Sequence, residues 1–255
     1  MAKKSALAEK LQQVRERIAA ACADAKRDPS EVTLVAITKT AAPEQIRELI
    51  QLGVTDLGES RVQQLTQRAV QLNEFYQRRV QHSDIQSAPK IRWHMVGHLQ
   101  RNKVKPILPV TAMVHSVDSL RLAEEIEVQA AKIEKRQSVL VQINASEEPQ
   151  KFGVAVGAAV HLAEQIDSMP YIQLMGLMCM APLGAKPPET RHCFARTREV
   201  FEEMKWNKIG GTALRHLSMG MSDDFEPAIA EGATIVRIGT LLFGGNKAEV
   251  MEEED

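Results

Sequence analysis

The sequence predicts an α/β fold: a single (β/α)8 TIM-type barrel carrying an extra amino-terminal helix. Three observations point there. Eight strand-like segments alternate with helix-like segments, the pattern of a parallel sheet. The length of 255 residues suits eight such units in one barrel. No Gly-x-Gly-x-x-Gly turn follows the first strand, which counts against the alternative of a doubly wound open sheet.

The first helix is expected over Ser5 to Lys26, where Leu7, Leu11, Val14, Ile18 and Ala21 recur at spacings of three and four. Asp28-Pro29-Ser30 stops it. Strand one is Thr33–Lys39, and Pro43-Glu44 opens the next helix with a good first-turn pair. Strand two is the short Asp56-Leu57-Gly58, followed by a polar helix from about Arg61 to Val80. Strand three is Arg92–Val96, with a helix near Arg101–Ile107. Strand four is Met113–Ser116, after which Asp118 or Ser119 caps the helix Leu120–Glu134. Strand five is Ser138–Asn144, and a long loop leads to the helix Ala158–Asp167. Strand six is Gln173–Met178, followed by the helix Glu189–Met204. Strand seven is Arg215–Ser218, with a short helix Phe225–Glu231. Strand eight is Thr234–Ile238, ending at Gly239. No internal repeat or linker interrupts the pattern, so residues 1–245 are expected to form one domain. The acidic stretch at 246–255 is expected to be a frayed tail.

Composition narrows the function classes. Hydrophobic residues make up 44% of the chain, enough for a full core. Aromatic residues are only 4%, which counts against base-stacking nucleic-acid modules. The net charge of −1 supplies no global field toward nucleic acid or membrane. Cys22, Cys179 and Cys193 lack metal spacing, and their odd number argues against a disulfide framework, so a reducing cytoplasm is the expected compartment. The charged start has no apolar signal core, and no uncharged stretch is long enough to span a bilayer.

Barrels place chemistry at the carboxyl ends of their strands. Lys39 closes strand one. It is either a solvated lysine where strand meets loop, or an amine whose partial burial frees its lone pair for Schiff-base chemistry. Ser60 follows strand two, His94 and His98 close strand three, and Asn144 closes strand five. The runs Ser218-Met219-Gly220-Met221-Ser222 and Gly239-Thr240 end strands seven and eight, where barrels commonly bind phosphate through hydroxyls and exposed amides. Arg237 sits inside an apolar strand and needs a partner there: a neighbouring strand or a ligand ring nitrogen. His94 and His98 have the spacing of a helical metal pair but lie on a strand and its loop, with no third ligand evident. Arg101, Lys103 and Lys105 read as a solvated helix face, and Met175, Met178 and Met180 as core filler. One lysine, one arginine and a two-loop phosphate cradle at one mouth would satisfy a phosphorylated aldehyde such as pyridoxal 5′-phosphate.

The chain resembles the pyridoxal phosphate homeostasis proteins, the YggS/PROSC family, from about Ala6 to Gly245. The resemblance rests on Val35-Ala36-Ile37-Thr38-Lys39, Leu57-Gly58-Glu59-Ser60, the run from Trp93 to Lys103, and His115-Ser116-Val117-Asp118. It continues through Lys151-Phe152-Gly153, Met175-Gly176-Leu177-Met178, the run from Leu217 to Asp224, and Val236-Arg237-Ile238-Gly239-Thr240. It implies a barrel like the amino-terminal domain of alanine racemase. It implies that Lys39 forms a Schiff base with pyridoxal phosphate, that Ser218, Met219, Ser222, Gly239 and Thr240 surround the phosphate, and that Arg237 meets the pyridine nitrogen. Ser60 departs from the pattern, because the family usually has asparagine there and serine reaches less far. His94 is carried as a further cofactor-site candidate. In the related racemases a tyrosine from a separate domain supplies the second acid/base. The tyrosines here, Tyr76 and Tyr171, lie at neither strand end, and the chain is expected to end after the barrel. The expectation is therefore a monomeric cytoplasmic protein that holds pyridoxal phosphate, supports vitamin B6 homeostasis without robust catalysis, and passes the cofactor to apo-enzymes. A racemase-like enzyme is the alternative, with a phosphosugar aldolase a more distant one.

Overall fold

The computed structural model describes residues 5–244. The predicted acidic tail at 246–255 lies outside them. The strands are β1 (Thr33–Ile37), β2 (Asp56–Glu59), β3 (Arg92–Met95), β4 (Thr111–Val117), β5 (Gln137–Asn144), β6 (Val154–Ala155), β7 (Ile172–Cys179), β8 (His216–Ser218) and β9 (Ile235–Ile238). The α-helices are α1 (Ala6–Asp24), α2 (Pro43–Gln51), α3 (Val62–Gln81), α4 (Val104–Ile107), α5 (Leu120–Lys132), α6 (Val156–Asp167), α7 (Pro187–Trp206), α8 (Phe225–Ala230) and α9 (Thr240–Phe243). The sheet runs β4-β3-β2-β1-β9-β8-β7-β5, and β5 pairs back onto β4, closing an eight-stranded barrel. Neighbouring strands are parallel throughout, as helical crossovers require. The expected fold class is therefore the observed one.

Local chemistry explains the elements. Ser5 caps α1 by accepting from the Ala8 amide at 3.1 Å, and Leu7, Leu11, Val14 and Ile18 form its buried stripe. Pro43 and Pro187 open α2 and α7, where a missing N–H costs nothing. The expected helix at 101–107 divides into a 3-10 turn, Arg101–Lys103, and the short α4. Arg101 and Lys105 are exposed, as a solvated face requires. Two elements were not foreseen. β6 is a two-residue strand inside the loop after β5, too short to show a period. α9 begins directly after Gly239, where only a turn was expected.

The core has two parts. A large apolar layer lies between the helices and the outer faces of the strands. Inside the barrel, Val35, Met113, Leu140, Met175, Met178 and Ile235 form a smaller cluster, which gives Met175 and Met178 the packing role expected of them. That inner cluster is small because several inward positions are polar. Asp56, His94, His115, Ser218 and Arg237 are all buried and joined to one another by hydrogen bonds.

Candidate functional site

β1 stops at Ile37, two residues before the expected end. The Thr38 amide still donates to Gly58 O at 3.0 Å, but Ala41 N donates back to Thr38 O at 2.8 Å, so Lys39 sits in a tight turn. That places a half-buried Lys39 at the carboxyl end of the barrel. The turn is held from α3. Arg68 Nη1 donates to the carbonyl of Thr38 and to the carboxylate of Glu59. Arg68 Nη2 reaches Ala41 O at 3.1 Å and Lys39 O at 3.5 Å. The Thr38 hydroxyl also donates to Glu59, which is fully buried. Burial raises the Glu59 carboxyl above its ordinary range, with Thr38, Arg68 and Lys39 pulling the other way.

Ser60 lies in the turn after β2, packed backbone to backbone against the turn after β3. A Cβ on Gly97 would stand 2.2 Å from Ser60 O, so only glycine allows that approach. His94 and His98 do not share a face. His94 points into the barrel toward Asp56 and His115, while His98 stacks on Phe152 with ring centroids 3.9 Å apart and pairs with Asp118 at 3.5 Å.

The two serines of the seventh strand end have different surroundings. Ser218 is fully buried and faces Arg237 and His115. Ser222 lies at the loop, its hydroxyl accepting from the Gly239 amide at 3.4 Å. Met219 is fully buried, and its amide is already paired with Ile235 O at 3.1 Å. The loop is fixed by Asp224, which accepts from Met221 N at 2.5 Å, and by Gly220 at φ +92°. Gly239 precedes α9, and Thr240 at its start is exposed.

Arg237 finds its partners on β8, beside its own strand, and on β7 beyond it. Nη1 donates to Ser218 O and to Ser218 Oγ, both at 2.7 Å, and Nη2 to Cys179 O at 2.9 Å. These acceptors are neutral oxygens, not a carboxylate. Burial lowers the guanidinium's pKa, partly offset by Cys179 and Asp224, yet an arginine remains charged. The Cys179 thiol is fully buried and pushed up to about 12 by that burial, so it is the inert thiol expected.

Of the residues expected at the site, Lys39, Ser60, Ser222, Gly239 and Thr240 follow the carboxyl ends of their strands, Ser218 closes β8, and His94 and Arg237 are buried within β3 and β9. Sequence reading missed Arg68, Asp56 and the inward role of His115. Glu59 and His115 lay in quoted motifs, but nothing in the polar pattern of α3 distinguishes Arg68 from its solvated neighbours.

His216 adds a pH dependence. Burial, with Arg215, His94 and Arg92 nearby, lowers it from 6.5 to about 4. Its charged form is disfavoured in the fold, so the unfolded chain binds more protons below pH 6.5. Stability is expected to fall as pH drops from 6.5 toward 4, measured as a declining urea midpoint. His216→Gln should flatten the decline; an unchanged slope would assign it elsewhere.

Comparison with known proteins follows the same line. A family model for the alanine racemase N-terminal domain matches residues 3–247. A pyridoxal phosphate homeostasis protein of Aquifex aeolicus is 39% identical over 94% of this chain and 98% of its own. A solved structure of an unknown protein from Bifidobacterium adolescentis has a TM-score of 0.84 at 35% identity, covering 93% of this chain and 94% of that one. PipY of Synechococcus elongatus, solved with PLP bound, has a TM-score of 0.77 at 32% identity, covering 93% of this chain and 100% of that one. Near full-length likeness in sequence and in fold means that this chain belongs to the family of pyridoxal phosphate homeostasis proteins.

Proposed function

We propose that this protein binds pyridoxal 5′-phosphate at the barrel mouth, holds it reversibly through Lys39, and contributes to intracellular vitamin B6 homeostasis without robust catalysis. The observation that carries this reading is Arg237, a buried cation whose described partners are all neutral oxygens. Asp224 acts on its charge from a distance, but the described hydrogen bonds of the guanidinium go to neutral oxygens, which supports a neutral ring nitrogen as a further acceptor. Bound there, pyridoxal phosphate supplies an electrophilic aldehyde and an electron-accepting ring.

The remaining residues divide the work. Lys39 Nζ is the amine that would hold the aldehyde covalently and reversibly. Ser222 with the Gly239 and Thr240 backbone takes the phosphate, with Met219 packed beneath. Ser218 acts one step further in, behind Arg237. Ser60 is a shorter rim contact than the family's asparagine, and His94 belongs to the interior. Arg237 donates a hydrogen bond without surrendering its proton, which leaves the ring a weak electron sink. Neither tyrosine serves as an opposing acid: Tyr76 is buried on α3 and Tyr171 lies at the amino end of β7. A binding protein of this kind would pass its cofactor to apo-enzymes and needs no second subunit to complete the mouth. No described helix is long and apolar enough to cross a membrane.

The test is a visible-absorbance titration of the purified chain with pyridoxal phosphate. Ser222→Ala should weaken uptake roughly tenfold or more, the worth of one hydrogen bond to a charged group. Lys39-dependent exchange of amino-acid α-protons at enzyme-like rates would sink the non-catalytic reading.

A further inference from the structure

We infer that His94 and His115 are positioning residues for Arg237: two neutral imidazoles, each protonated on Nε2, that complete a one-way hydrogen-bond chain from Arg237 through Ser218 to Asp56.

The direction follows from the two ends. Arginine can only donate, and Nη1 lies 2.7 Å from Ser218 Oγ, so that oxygen accepts. The Ser218 proton then goes to His115 Nδ1 at 2.9 Å. An accepting ring nitrogen carries no proton, so a neutral His115 is protonated on Nε2. That atom lies 2.9 Å from His94 Nδ1, which accepts in turn. His94 is therefore protonated on Nε2, 2.9 Å from Asp56 Oδ1. Burial raises the Asp56 carboxyl, but bonds from His94 and Arg92 outweigh it and hold the group below its ordinary value. Asp56 is thus a carboxylate and only accepts, so every link has one donor and one acceptor.

The reverse direction fails on the same count. If His94 carried protons on both nitrogens, His115 would donate from Nδ1 to Ser218 Oγ. Ser218 would then receive two donors, and its own proton would need another acceptor in a site with no exposure. A buried hydroxyl left unpaired is costly. The charged and titratable groups facing the pair are Asp56 from β2, Arg92 from β3, His216 with Arg215 at β8, and Arg237 from β9. Full burial, with the Arg237 guanidinium adding to it, drives His115 well below its ordinary value and keeps it neutral. The chain therefore crosses the barrel from Asp56, bridged at 2.7 Å to a half-exposed Arg92, to the arginine beneath the mouth.

The effect on cofactor rests on the reading that Arg237 meets the ring nitrogen; the chain itself does not. Histidine-ring nitrogen-15 spectra of the cofactor-free protein are the direct test. Both rings should show a protonated Nε2 and a bare Nδ1 at neutral pH. A proton on His115 Nδ1, or an imidazolium at either ring, overturns the inference. A pair of variants separates positioning from packing. His115→Asn keeps an acceptor near Ser218, whereas His115→Gln keeps the reach toward His94 and leaves Ser218 without its acceptor. The Arg237 guanidinium signals of the cofactor-free protein should show slow rotation in the wild type and in His115→Asn, and fast rotation in His115→Gln. The pyridoxal phosphate dissociation constant should rise about tenfold in His115→Gln and clearly less in His115→Asn. Equal behaviour of the two variants overturns the inference. A wild type with the assigned tautomers and slow guanidinium rotation that takes up no pyridoxal phosphate supports the chain and removes the cofactor reading instead.

Discussion

Lys39→Ala protein, incubated with pyridoxal phosphate and reduced with borohydride, is expected to carry no covalent cofactor. The wild type should gain it on the peptide containing Lys39, read by mass spectrometry. The reason is geometric. The turn at Thr38–Ala41 fixes the lysine backbone at the barrel mouth, and Arg68 ties that turn to α3 through several carbonyls. Among the described residues, no other lysine lies within two residues of the carboxyl end of a barrel strand. The proposed phosphate loops at 218–222 and 239–240 and Arg237 survive the substitution, so weak binding that desalting removes is expected to remain. Reduced cofactor on a different lysine would defeat the assignment.

The second large effect is on stability. Arg68→Met removes the cationic partner of a fully buried Glu59 and takes the guanidinium donor from the Thr38 and Ala41 carbonyls of the Lys39 turn. Breaking a buried pair from one side costs about 3–5 kcal/mol. For a chain of this size that lowers Tm by on the order of 10 °C. Removing the orphaned charge as well should recover part of the loss, so Arg68→Met with Glu59→Gln should melt above Arg68→Met alone. Thermal and urea unfolding measure both. A single variant as stable as the wild type would show that the turn does not depend on Arg68.

Much of this was legible in the sequence, for reasons that can be named. The barrel was readable because each strand is a short apolar run followed by an amphipathic helix, a pattern set locally by residues such as Leu7, Leu11 and Val14 in α1. The mouth was readable because Lys39, Ser222 and Gly239 stand at strand ends, where residue type alone is informative. Strand limits shifted by a residue or two where a side chain from elsewhere decided them, as Arg68 does at Thr38. The interior chain was not legible. Asp56, His94 and His115 come from the adjacent strands β2, β3 and β4, but only the closed barrel brings His115 on β4 within 2.9 Å of Ser218 on β8. Ser218 and Ser222 illustrate the same limit: four residues apart in one motif, they face different partners because the strand ends between them.

The anchoring of Arg237 limits what can replace it. One side chain on β9 grips β8 at Ser218 and β7 at Cys179, so it staples three strands beneath the very spot where a ligand would rest. A change at this residue loosens three strands in a single step. A second substitution could remove Ser218 Oγ, but the Ser218 and Cys179 carbonyls that also accept from Arg237 are backbone groups that no substitution removes. Any replacement at position 237 must therefore leave a new donor or water for the Ser218 and Cys179 carbonyls.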